Sequence, residues 1–510
     1  MSINMHQCDV LVVGGGINGA GIARDAVGRG LRTVLCEKND LASHTSSAST
    51  KLVHGGLRYL EQLQFGLVRK ALIEREVLLR AAPHIIQPLK FLVPHDSKQR
   101  PFWVIRIGLL IYDQLAKRQL LDRSRSIDLR QHVTGQPLTS NFTCGFSYAD
   151  AWVDDARLVV LNVLDAFERG CTVLTHTTCE KLEQKEGYWH ATLSRANGDT
   201  CIIKSRSVVN STGAWASQFL NKTANRTAPI TNRLIKGSHI VVKKLFSHEY
   251  AYLFQHSDGR VIFAIPYEHD FTLIGTTDIE YKGNVDEITI SPDEANYLCN
   301  AVSLYFNESV TTQDIVWSYA GVRPLQEEEG KSASTVSRDY RLDLQRDGAP
   351  LLNVFGGKLT TYRKLAEEAV DLLAPVLANH NRSWTANACL PGGNLLGESP
   401  SNQAVHYFEQ WCVNLQNQYA WLSPKLTIRY AKAYGTRIHV MLSNCNSIAD
   451  MGLEIVPGVY AVEVLYLIKH EWARCADDIL WRRSKCGLHL SSDSQTRLDA
   501  WMQPYLPTMV

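Results

Sequence analysis

The chain has 510 residues, 45% of them hydrophobic and 20% charged, long enough for more than one domain and apolar enough for a large core. Its 53 Lys and Arg against 51 Asp and Glu give a formal charge of +2, which excludes a strongly basic nucleic-acid binder, and no nucleic-acid partner is expected. The 12 cysteines stand singly, without zinc-site or disulfide spacing, so reduced thiols in a cytosolic compartment and no bound metal are expected.

The first residues lead into "CDVLVVGGG" without the pattern of a secretory signal, and no apolar run reaches the roughly 18 residues of a membrane span. "DVLVV", "GGGINGAG", "IARDAVGRG" and "RTVLCEK" read as strand, glycine turn, helix and strand, the opening of a doubly wound α/β unit. Gly14, Gly16 and Gly19 form GxGxxG around Ile17 and Asn18, where backbone amides and a helix N-terminus hold a pyrophosphate. Glu37 ends the next strand, just before Lys38, where a carboxylate accepts from ribose hydroxyls. The paired glycines of "KLVHGGLRYLE" (51–61) mark a close backbone approach.

Helical text runs from Phe65 to about Ala82 and stops at Pro83. "FWVIRIGLLIYDQLAKR" (102–118), with Arg106, Lys117 and Arg118, fits a membrane-surface helix and a core helix equally well. A helix from Asp154 leads to the strands "CTVLTH", "YWHATLSR" and "SVVNSTG", and "RVIFAIPYEHDFTLIGTTDIEY" reads as two strands joined at Glu268 to Asp270. Residues 346–380 return to strand, glycine turn and helix, and the text beyond "LPGGN" is mainly helical.

The glycine motif alone does not separate NAD from FAD. "STGAW", with Thr212 and Gly213, and "FGGKLTTYR", with Gly357, Lys358, Leu359 and Thr360, offer further close approaches after strands, and segments so far apart suit extended FAD better. The expected architecture is α/β: a doubly wound FAD-binding domain from 1–80, 146–213 and 346–389, an insertion at 81–145 with a possible membrane-surface helix, a substrate-binding antiparallel β domain at 214–345 and a helical cap at 390–510.

"VGGGINGAGIARDAVGRG", "TSSASTKLVHGGLRYLE", "RLIKGSHIVV", "IGTTD", "YAGVRPL" and "FGGKLTTYRKLAE", with "HEWARCADDILWRRSKCGL" near the end, closely resemble the FAD-dependent, quinone-linked glycerol-3-phosphate dehydrogenases of bacteria. The resemblance implies an FAD domain of the glutathione-reductase and amino-acid-oxidase type. It implies oxidation of glycerol 3-phosphate to dihydroxyacetone phosphate, with ubiquinone as acceptor, on the inner face of the cytoplasmic membrane and as a homodimer. By the same resemblance Ser46, Ser47, Ser49, Thr50, Gly55, Gly56 and Leu57 lie along the cofactor, and Arg58 and Tyr59 face the substrate. No His or Cys signature of a covalent flavin is evident, so non-covalent FAD is expected.

The chemistry adds roles. A phosphate dianion needs cations, for which Arg323, Arg338 and Lys358 are the candidates, Arg323 first because Pro324 restricts its backbone. Alcohol oxidation also needs a base: His239 in "KGSHIVV" is the first candidate, His54 the reserve. The close alternatives are an oxidase that returns electrons to oxygen and a related amine or amino-acid oxidase.

Overall fold

The computed structural model describes residues 5–96, 100–229, 232–256, 258–326 and 339–506. The first strand, Met5–Val13, pairs in parallel with Thr33–Cys36 on one side and Thr200–Asn210 on the other. These strands belong to an 8-stranded sheet. Val10, Leu11 and Val12 are fully buried, as continuous apolar text demands of a strand covered on both faces.

The helix Ile17–Gly28 follows the glycine turn and lies against helices Asp155–Glu168 and Tyr362–Leu373. Its small residues permit that approach: a Cβ at Gly21 would stand 2.8 Å from the ring of Tyr362. Buried charges fix the register, with Arg24 paired to Asp165 at 2.5 Å and Arg29 to Asp25 at 2.6 Å.

A 10-stranded sheet forms the second layer. The expected hairpin is present, Val261–Tyr267 pairing with Phe271–Gly275 around Glu268 to Asp270. The two longest partners are Asn232–Lys243 and Ile315–Gln326, whose register sets His239 opposite Tyr319 and Ile235 opposite Arg323.

The expected boundaries need correction. Leu52–Val53, Ile86–Pro94, Arg125–Asp128 and Cys144–Val153 all belong to the second sheet, so 81–145 is no separate insertion, and the text just before and after it leaves the FAD domain. Arg341–Gln345 and the helix Ala216–Lys222, given to the substrate domain, pack with the first sheet instead. Alternating strand text does not reveal which sheet a strand joins, because both offer a buried face.

Helix Phe102–Gln114 is half core and half surface. Leu109 and Tyr112 are fully buried, whereas Trp103 (64% exposed), Ile107, Leu110 and Ile111 form an apolar stripe open to solvent. Of the three cations expected to flank it, Arg118 is turned inward onto Asp113 at 2.6 Å, and Arg106 donates to Ser124 Oγ at 2.9 Å. None of the described helices is long and apolar enough to cross a membrane.

The carboxy-terminal region is helical as expected, with Asn402–Gln418, Pro424–Tyr434, Ala461–Glu471 and Ser492–Met502 around their own core. Buried ion pairs tie it to the layer built on the first sheet: Asp40 with Arg483, and Arg157 with Glu471, whose Oε1 accepts from Nη2 at 3.0 Å.

Candidate active site

One cavity of about 730 Å³ runs between the two sheets. Its first end is built by the glycine turn. Gly14 has φ +109°, and a Cβ there would lie 2.6 Å from the carbonyl oxygen of Ser211. Gly19 does not line the cavity; a Cβ on it would collide with the Gly14 carbonyl and stand 2.6 Å from Ser211 Oγ, so its bareness lets the helix close on the turn.

Gly16 and Ile17 line the cavity at the start of the helix, and the Ile17 N–H donates to Ser46 Oγ at 3.0 Å. Glu37 accepts from the N–H groups of Gly15 (2.6 Å) and Asn39 (2.9 Å), while burial pushes its carboxyl above the usual range. Lys38 pairs with Asp286 at 2.5 Å and lies 4.0 Å over the ring of Trp215, beside Thr212 and Gly213.

The other glycine turn completes the cradle. Gly357 has φ +101°, and Gly357, Lys358, Leu359 and Thr360 line the cavity. Asn18 Nδ2 donates to the Gly356 carbonyl at 3.1 Å, linking turns 338 residues apart in sequence. Thr360 Oγ1 accepts from the His54 N–H at 3.2 Å. A long cavity with bare glycine backbone, a helix N-terminus and a buried carboxylate at one end has the donors and the room that FAD requires.

The hydroxyl-rich segment divides. Ser46, Ser49 and Thr50 line this cavity, but Ser47 donates to the His44 carbonyl and faces a smaller neighbouring cavity. Ser49 Oγ donates to Asp155 Oδ2 at 2.7 Å, and Thr50 Oγ1 lies 2.9 Å from His239 Nε2. These two hydroxyls therefore have protein partners besides any cofactor. Gly56 and Leu57 line the cavity, whereas Gly55 is packed away, its N–H donating to Tyr112 at 3.0 Å.

His239 is 2% exposed and stacks on Tyr319, its cross-strand partner, with ring centroids 4.8 Å apart. Desolvation, reinforced by Lys51 and Arg323, pushes its imidazole down to about 3. Arg323 Nη2 donates to the Thr277 carbonyl and to Asp278 Oδ1, each at 3.1 Å. Lys358 Nζ sits 3.8 Å over the ring of Tyr59. His54, Tyr59, His239, Arg323 and Lys358 thus line one cavity; Arg338 and the side chain of Arg58 lie outside the described residues.

Sequence reasoning missed several lining residues, among them Tyr148, Trp215, Arg260, Phe263 and Asp278. Most stand on strands or turns whose text looks like ordinary sheet. The "TTD" of "IGTTD" was a signal for Asp278, read only as part of a resemblance.

The family model for FAD dependent oxidoreductases matches residues 9–363. The chain is 50% identical to a glycerol-3-phosphate dehydrogenase of Pseudomonas aeruginosa, over 98% of this chain and 96% of that one. It is 45% identical to a D-erythritol 1-phosphate dehydrogenase of Brucella abortus, over 97% and 98%. The crystal structure of a glycerol-3-phosphate dehydrogenase from Bacillus halodurans complexed with FAD superposes with a TM-score of 0.76 at 27% identity, covering 98% of this chain and 94% of that one. The glycine-lined cavity and these matches agree: the chain belongs to the FAD dependent oxidoreductase family, grouped along nearly its whole length with bacterial glycerol-3-phosphate dehydrogenases.

Proposed function

We propose that the chain oxidises sn-glycerol 3-phosphate to dihydroxyacetone phosphate. The observation that carries this reading is one cavity that joins a glycine-lined dinucleotide end to Arg323, Lys358 and His239. FAD, held without a covalent bond by Gly14, Gly16, Glu37, Ser46, Thr212 and the 357–360 turn, supplies a flavin that accepts hydride. Arg323 and Lys358 hold the phosphate dianion, the arginine as a planar fork and the lysine as a point charge, and Arg58 and Arg338 add to that charge. Tyr59 packs beneath Lys358 and fixes its position. His239 takes up the hydroxyl proton, with His54 in reserve.

Electrons pass on to ubiquinone at the inner face of the cytoplasmic membrane, with the stripe Trp103, Ile107, Leu110 and Ile111 in the interface. A second substrate, D-erythritol 1-phosphate, is favoured by the near full-length similarity to the Brucella enzyme.

Anaerobic mixing of the holoenzyme with each polyol phosphate, while the flavin absorbance is followed, tests both. Bleaching at least tenfold faster with glycerol 3-phosphate supports the first reading, and the reverse order supports the second. Recovery of colour with a ubiquinone analogue but slowly with oxygen supports the quinone-linked form; fast recovery with oxygen makes it an oxidase.

A further inference from the structure

His239 has the chemistry of a base but not the exposure of one. It is 2% exposed, one ring face is covered by Tyr319, and Nδ1 is buried with no partner among the described residues. The Cδ2 edge packs on the bare backbone of Gly275 in the strand Phe271–Gly275, where a Cβ would collide with Cδ2. The polar neighbour that lines the cavity in front of Nε2 is Thr50, half-buried, with Oγ1 at 2.9 Å.

Thr50 is held there by unusual means. Asp155, at the start of helix Asp155–Glu168, grips both of its neighbours: Oδ2 accepts from Ser49 Oγ at 2.7 Å and Oδ1 from Lys51 Nζ at 2.8 Å. Both Lys51 and Asp155 are sealed from solvent. Lys51 has φ +59°, a left-handed conformation that a side-chain-bearing residue adopts only when its surroundings hold it. Tyr319 adds a third tie, its hydroxyl donating to the Ser49 carbonyl at 2.8 Å. The residue that stacks on the imidazole therefore also fixes the backbone that presents the hydroxyl to it.

We infer that Thr50, and not His239, is the group that touches the substrate hydroxyl, and that it relays the proton to His239 Nε2. The substrate O–H bond breaks and its proton bonds to Thr50 Oγ1 as the proton of Thr50 passes to Nε2. The carbinol C–H bond breaks with its hydrogen leaving as hydride, for which bound FAD would be the acceptor, and the electrons of the broken O–H bond form the carbonyl double bond. The relay requires the tautomer with the ring proton on Nδ1, which leaves Nε2 as the acceptor. This inference rests on the reading of His239 as the base.

The test compares Thr50→Val, Thr50→Ser and His239→Gln holoenzymes by the rate of anaerobic flavin reduction at saturating glycerol 3-phosphate, its solvent deuterium effect, and calorimetric affinity for dihydroxyacetone phosphate. His239→Gln slows reduction by about 100-fold or more, as loss of a general base does. Thr50→Val slows it by more than about tenfold, removes the multi-proton curvature of the rate in H2O and D2O mixtures, and leaves product affinity within about twofold. Thr50→Ser restores most of the rate.

Unimpaired reduction in His239→Gln overturns the reading of the base itself. A slow His239→Gln beside a fast Thr50→Val overturns the relay alone. Equal losses in Thr50→Val and Thr50→Ser, or a tenfold loss of product affinity in Thr50→Val, would show that the methyl or the contact matters and not the proton path.

Discussion

At the scale of single residues, the site is set by where side chains are missing and where charge is confined. Gly14 combines a positive φ with the Ser211 carbonyl at its back, so Gly14→Ala forces the turn open. The expected outcome is holoenzyme purified with less than about a tenth of its flavin, read as the ratio of visible to ultraviolet absorbance, at an overpacking cost of about 1–3 kcal/mol. His239 gives a pH prediction. Its pKa near 3 lies below that of free imidazole, so in the free protein it stays neutral as pH falls through 6 and protonates only near 3. Lys51 and Arg323 both disfavour the added charge, and a bound dianion offsets them. The acid limb of kcat/KM, which reports free enzyme and free substrate, therefore follows the second ionisation of the substrate phosphate at about 6. A phosphonate analogue with a higher second pKa moves that limb upward by the same amount. A limb that stays put with the analogue argues against a neutral His239.

At the scale of elements, the first strand, glycine turn and helix are legible because one short stretch carries period, turn chemistry and acid together. His239 was legible as a candidate, but its setting was not. Tyr319 reaches it by strand pairing, and Asp155 reaches Ser49 and Lys51, on either side of Thr50, from a helix start about a hundred residues away, contacts that local text cannot encode. The helix Phe102–Gln114 shows the converse, since its text fits two settings and the structure gives it both, Leu109 inward and Trp103 outward. Its role is checked by Trp103→Gln, Ile107→Gln and Ile111→Gln together. All three side chains are exposed, so folding and flavin reduction stay at the parent level while sedimentation with anionic liposomes falls by about tenfold or more. Because Arg118 is committed to Asp113, reversing its charge disturbs folding instead of membrane contact.

At the scale of the whole molecule, the cap is fastened by charges that have left water. Arg157 and Glu471 are both sealed, so Arg157→Met strands a buried carboxylate and costs about 3–5 kcal/mol in chemical unfolding of the holoenzyme. The double variant Arg157→Met with Glu471→Leu recovers most of that loss. If it unfolds as readily as the single variant, the packing of the arginine stem, and not the isolated charge, holds the cap.

The path of the chain between the two sheets has one more outcome. It begins in the first sheet, crosses to the second at Leu52, returns at Thr172, leaves again at Asn232 and comes back at Arg341. Walls of the flavin cavity are contributed from Val13 through to Thr360. A nascent chain emerging from the ribosome therefore has a complete glycine motif almost at once but no complete cradle until most of its length has been made. Flavin capture belongs late in synthesis, after Thr360 has been made, and carboxy-terminal truncations that remove the 357–360 turn yield colourless protein however intact their first strand and helix remain.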